Sequence, residues 1–221
     1  MLSSFGKYIS LNLRLNVVEI LNSLKEVYSY KELENITGIP SSVLCRYVQG
    51  SIIPSIDNAE RLWKILMGKK FIKQTINRFI NLTSRHEPQI TTLFSNPKFL
   101  TLISSYLTSR YAGMGVTKVV APTGLSVSLA TILSLKLNST LIVVGEKSEF
   151  YRVNPKSFIK KNDNLLMVFD LLTRHKFNFI LKELGRSVLE SNTVGIACIV
   201  LVDSDLSKEI PSKVFLEYLI P

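Results

Sequence analysis

The spacing of apolar residues changes character partway along the chain. Leu13, Val17, Ile20, Leu21 and Leu24 recur three and four apart, the period of an amphipathic helix. Leu33 and Ile36 share one face of a second, short helix predicted over Tyr30 to Thr37. Gly38 closes it, because a glycine enters the left-handed conformation without a Cβ clash. Pro40, Ser41 and Ser42 open a third helix, proline being tolerated in a first turn and serine serving as a cap. Gly50 ends that helix, and Ser51 to Ser55 lead to a fourth over about Asp57 to Met67. Residues 70–110 read as helical or mixed, without a boundary signal.

Beyond Gly115 the apolar residues gather into short runs. Lys118 to Ala121 predicts a strand, Pro122 to Gly124 a loop, Ser126 to Leu137 a helix and Thr140 to Val144 a second strand. Gly145 to Asp163 is polar and irregular. Leu165 to Phe169 predicts a strand ending at Asp170, Phe177 to Ser191 a helix, and Val194 to Val202 a long strand. Strands alternating with helices predict a parallel sheet covered on both faces. The expected fold class is therefore α/β. An all-α domain over 1–75 precedes a domain over 76–221 with a mainly parallel sheet flanked by helices.

Composition narrows the function classes. No apolar run reaches the 18 or so residues of a membrane span, and the N-terminus has no signal-peptide stretch. Cys45 and Cys198 stand too far apart in the chain to suggest a disulfide framework or a zinc site. A soluble, cytoplasmic protein without cofactor or metal is expected. The net charge of +10, from 27 Lys+Arg against 17 Asp+Glu, attracts polyanions, nucleic acid first among them.

The stretch from Tyr30 to Gly50 puts a glycine and an apolar residue, Gly38 and Ile39, at the corner between two short helices. Leu33, Ile36, Ile39, Leu44 and Tyr47 or Val48 then form a small core. Ser41, Ser42, Cys45, Arg46 and Gln49 are left facing outward, a set whose Ser, Arg and Gln suit base edges in a major groove. Cys45 reads as space-filling. These residues resemble the lambda-repressor-like helix-turn-helix family over roughly 50 residues, including Gly50 and the Pro54-Ser55 that follow. The resemblance implies double-stranded DNA as partner.

The segment Val119 to Ala130, with Thr123 and Gly124 at its turn, resembles the first loop of a type I phosphoribosyltransferase, where strand, pyrophosphate-holding loop and helix follow one another. Leu166 to Phe177 sits where that family has its phosphoribosyl pyrophosphate motif, and the resemblance extends over roughly 80–205. The family's paired acids fall on Phe169 and Asp170, so one is absent. The family's small-residue phosphate loop falls on Thr173-Arg174-His175-Lys176-Phe177, where bulky side chains are expected to hinder a close wrap of phosphate. Asp170 reads equally as a ribose contact and as a helix cap. Lys147 sits where the family often places a pyrophosphate contact, and also reads as a solvated lysine. His175 and His86 read as inert.

A helix-turn-helix joined to such a domain resembles archaeal phosphoribosyltransferase-like transcriptional regulators and the bacterial purine operon repressor. The resemblance implies a homodimeric, sequence-specific DNA-binding regulator without catalytic residues. Its second domain would sense a nucleotide or phosphoribosyl pyrophosphate through Thr123, Gly124, Lys147, Asp170, Thr173, Arg174, His175 and Lys176. The alternative is an active nucleobase phosphoribosyltransferase that also binds DNA.

Overall fold

A computed structural model describes residues 2–83, 90–145 and 155–220. The chain forms two compact units, Met1–Tyr106 and Leu107–Pro221.

The first unit is helical. α1 (Leu2–Leu24) runs further toward the N-terminus than the apolar spacing indicates, and buries Val17, Ile20, Leu21 and Leu24 along one stripe. α2 (Tyr30–Thr37) starts with a capping box: Ser29 Oγ accepts from Glu32 N–H while the Glu32 carboxylate accepts from Ser29 N–H. Gly38, at φ +70°, ends it in the left-handed region. α3 (Ser41–Val48) carries no serine cap; the Glu34 carboxylate accepts from Ser41 N–H instead. α4 (Ile56–Leu66) is capped by Ser55 and buries Ala59, Leu62 and Leu66.

α5 (Lys69–Thr83), α6 (Ile90–Phe94) and α7 (Pro97–Tyr111) make the once boundary-free stretch helical. As far as Tyr106 they continue the same core. Tyr28 Oη lies 3.1 Å from Thr75 Oγ1, Phe79 packs edge-on to Phe99, and Lys98 pairs with Glu26 at 2.9 Å. This is why the unit ends at Tyr106 and not near residue 75.

The second unit is a five-stranded, all-parallel sheet in the order β2-β1-β3-β4-β5. β1 (Lys118–Pro122) pairs with β2 (Thr140–Val144) and with β3 (Leu165–Leu172). β4 (Thr193–Leu201) lies between β3 and β5 (Phe215–Ile220). β3 and β4 are near-continuous apolar runs because both of their faces are covered. β3 extends beyond its expected end at Asp170.

On one face Val120, Met167, Phe169, Ile196 and Cys198 form a core with Phe177, Ile180, Leu181 and Leu184 of α9 (Arg174–Leu184). The expected helix to Ser191 is broken at Gly185, and a short α10 (Ser187–Ser191) follows. α8 (Ser126–Lys136) buries Leu129, Ala130 and Leu133 and holds Asp170 of β3. Neighbouring residues of a strand point to opposite faces, so Asp170 turns away from the side where Phe169 packs under α9.

Two elements lie past the last stretch read from sequence: α11 (Leu206–Glu209) and β5. Glu217 interrupts β5's apolar run, yet it is buried and lies 3.4 Å from Arg110. Tyr111 Oη donates to the Ile196 carbonyl at 2.7 Å. Burial, then the Glu217 carboxylate, pushes the Cys198 thiol up to about 12. Both cysteines are free thiols. Among the described residues no helix is long and apolar enough to cross a membrane.

Candidate functional site

In an open parallel sheet a crevice forms beyond the strand C-termini where the chain reverses its direction of winding. Here that point falls between β1 and β3. From β1 the chain goes through α8 to β2 on one side; from β3 it goes through α9 to β4 on the other. The loop leaving β1 carries Thr123 and Gly124, and the end of β3 and the start of α9 carry the residues from Asp170 to Lys176.

Thr123 and Gly124 are exposed at the end of β1, with Thr123 N–H donating to the Val144 carbonyl at 2.9 Å. The loop lies so close to the end of β2 that a Cβ on Gly145 would stand 2.7 Å from Thr123 Cγ2. Gly145 is therefore part of the local design, which sequence reading treated as the start of an irregular stretch.

Asp170 is 4% exposed and anchored on three sides. Ser126 Oγ donates to Asp170 Oδ1 at 2.7 Å, Asp170 N–H donates back to Ser126 Oγ at 2.9 Å, and Lys176 Nζ donates to Oδ1 at 2.6 Å. Burial alone raises its pKa, but the bonds from Lys176, Ser126 and the Leu171 N–H outweigh it and hold the carboxyl below its ordinary range. Asp170 is thus ionised at neutral pH. It does not cap α9: Thr173 does, its Oγ1 accepting from Lys176 N–H at 3.2 Å.

At the start of α9, Arg174 and His175 are exposed. Arg174 N–H donates to Asp203 Oδ2 at 2.7 Å, so a carboxylate oxygen does reach the backbone there. The Arg174 guanidinium pairs with Glu209 at 2.5 Å. Asp203 and Glu209 had no signal in the sequence, since their partners lie 29 and 35 residues away. Of the expected set, the structure links Asp170 to Lys176 and Lys176 to Thr173 through these bonds, while Arg174 bonds instead to Asp203 and Glu209. Lys147 and His86 lie outside the described residues. Among the described residues no three His, Cys, Asp or Glu converge as a metal site would require.

In the helical unit Ser42, Arg46 and Gln49 are exposed along α3, while Ser41 and Cys45 are half-buried. The expectation that Ser41 is free for a partner is corrected: its hydroxyl donates to Glu34 at 2.5 Å. Cys45 meets Tyr30, whose phenol is raised by burial and by that contact.

No family model matches the chain, and no curated protein resembles it in sequence. Solved structures do resemble it in shape. The adenine phosphoribosyltransferase of Rhodothermus marinus aligns at 18% identity with a TM-score of 0.53, over 68% of this chain and 98% of its own. The corresponding Giardia lamblia enzyme, complexed with 9-deazaadenine, aligns more loosely at 15% identity and TM-score 0.46, over 59% and 84%. The 115 residues of the C-terminal unit are 52% of 221, so a 68% match includes helices that precede Leu107. The fold of that matched part is the type I phosphoribosyltransferase fold.

This likeness corrects the functional expectation. The sequence predicts a DNA-binding regulator from the stretch Tyr30 to Gly50, and an inactive second domain from the missing acid and the bulky loop. The neighbours found are enzymes. Nothing in the comparisons supports DNA binding.

Proposed function

We propose that this protein is a nucleobase phosphoribosyltransferase. It transfers the phosphoribosyl group of phosphoribosyl pyrophosphate to a free base: the C1′–N bond forms, the C1′–O bond to pyrophosphate breaks, and the base yields a proton to solvent. The observation that carries this reading is an ionised carboxylate, Asp170, held at the winding reversal of a sheet with the adenine phosphoribosyltransferase fold. Adenine is the first base to test, being the one in the names of the similar structures.

The residues divide the work by charge and position. Asp170 accepts hydrogen bonds from the ribose hydroxyls once Lys176 moves off it. The N–H groups at the start of α9, with Thr173 Oγ1 and Arg174, hold the 5′-phosphate once it displaces Asp203, the helix dipole favouring an anion there. The Thr123–Gly124 loop faces the pyrophosphate. Phe169 belongs to the core and contributes no second carboxylate, so the ribose is held by one acid.

Incubation with phosphoribosyl pyrophosphate, a magnesium-containing buffer and adenine should give nucleotide at about 1 per second, the low end of ordinary enzyme turnover. Asp170→Asn should abolish it. Absence of nucleotide with adenine and with every other common base overturns the reading.

A further inference from the structure

We infer that Ser126 is a positioning residue for the Asp170 carboxylate, and that Lys176 is its displaceable partner. The inference deepens the transferase reading and rests on it.

Two partners share Asp170 Oδ1, and they differ in mobility. Ser126 is 0% exposed, at the first residue of α8. Its hydroxyl both donates to Oδ1 and accepts the Asp170 N–H. This pair of bonds closes a small ring that ties the carboxylate to its own backbone and fixes the side-chain torsion. No water can take over at a fully buried hydroxyl, and α8 cannot shift without disturbing Leu129, Ala130 and Leu133 in the core. Lys176 reaches the same oxygen with a flexible four-carbon arm, and its side chain is 31% exposed. It can swing toward solvent or toward an incoming phosphate, whereas Ser126 cannot.

Phe169 makes this arrangement matter. With a phenyl group where a second acid would stand, no partner carboxylate shares the ribose contacts, and alignment depends on one side chain. A shift of about 1 Å in such a group can cost about 100-fold in rate.

The test compares Ser126→Ala and the near-isosteric Ser126→Cys in wild-type and Asp170→Asn backgrounds. Nucleotide formation and ribose 5-phosphate binding by calorimetry are both read. Ser126→Ala should lower kcat by about 10- to 100-fold while leaving KM for the base unchanged, and Ser126→Cys should fall between. Ser126→Ala should weaken ribose 5-phosphate binding when Asp170 is present and leave it unchanged in Asp170→Asn. A purely structural defect would weaken both equally, and that result overturns the inference. Nucleotide formation that persists undiminished in Ser126→Ala also overturns it while the transferase reading stands. Binding that follows the expected pattern without any turnover retains the Ser126 role and overturns the transferase. Loss of ribose 5-phosphate binding already in the wild type overturns both.

Discussion

At the residue scale, the site is a balance of charges already satisfied within the chain. Lys176 neutralises Asp170, and Asp203 and Glu209 occupy the donors of Arg174. A phosphate arriving at α9 must therefore displace a carboxylate that repels it. Asp203→Asn keeps an acceptor for the Arg174 N–H but removes the charge. It should tighten inorganic phosphate or ribose 5-phosphate binding severalfold, measured by calorimetry at low salt, with the gain shrinking as salt rises. An unchanged or weaker affinity would show that Asp203 does not compete.

A second residue-scale expectation concerns Glu32 in the helical unit. Hydrogen bonds from Ser29 N–H and from Arg78 lower its carboxyl from 4.5 to about 2. A depressed folded-state pKa stabilises above the unfolded value and loses that contribution as pH falls through the folded one. The stability gap between wild type and Glu32→Gln should therefore be full above pH 4.5 and vanish by about pH 2. Thermal midpoints of both proteins across that range provide the check; a gap independent of pH contradicts it.

At the element scale, close packing between α7 and the sheet depends on an absent side chain. A Cβ on Gly195 of β4 would stand 2.3 Å from Cε1 of Tyr111, whose hydroxyl is bonded to the neighbouring Ile196 carbonyl. Gly195→Ala should destabilise the C-terminal unit by about 1–3 kcal/mol, the usual cost of overpacking, seen as an earlier unfolding transition. An unshifted transition would mean that Tyr111 moves aside freely.

The elements legible in sequence were those whose signals are local. α2 and β2 have the expected bounds because capping residues, Gly38 and an apolar run mark them. α9 starts three residues earlier than Phe177, because Thr173 caps it and the charged Arg174, His175 and Lys176 tolerate a helix. β5 escaped notice because Glu217 breaks its pattern, and the buried carboxylate pairs with Arg110, far off in sequence. The site followed the same rule. Asp170 and Thr173 could be picked out by position along the chain, whereas Ser126 and Asp203 join the site only through tertiary contacts. Of the bulky residues at the helix start, Arg174 and His175 are exposed, whereas Lys176 turns back onto Asp170.

At the scale of the whole molecule, a parallel sheet of phosphoribosyltransferase type presents one carboxylate and one helix start at its winding reversal. The match to the Rhodothermus marinus enzyme covers nearly all of that protein, so the matched part is not a fragment of the fold. The central claim is catalysis. It is tested most directly by mass-spectrometric detection of adenosine monophosphate formed from adenine and phosphoribosyl pyrophosphate, with wild type and Asp170→Asn prepared side by side. Nucleotide should accumulate in proportion to wild-type protein and time, and none should form with Asp170→Asn. Equal traces in both samples, or none in either across the common bases, would contradict it.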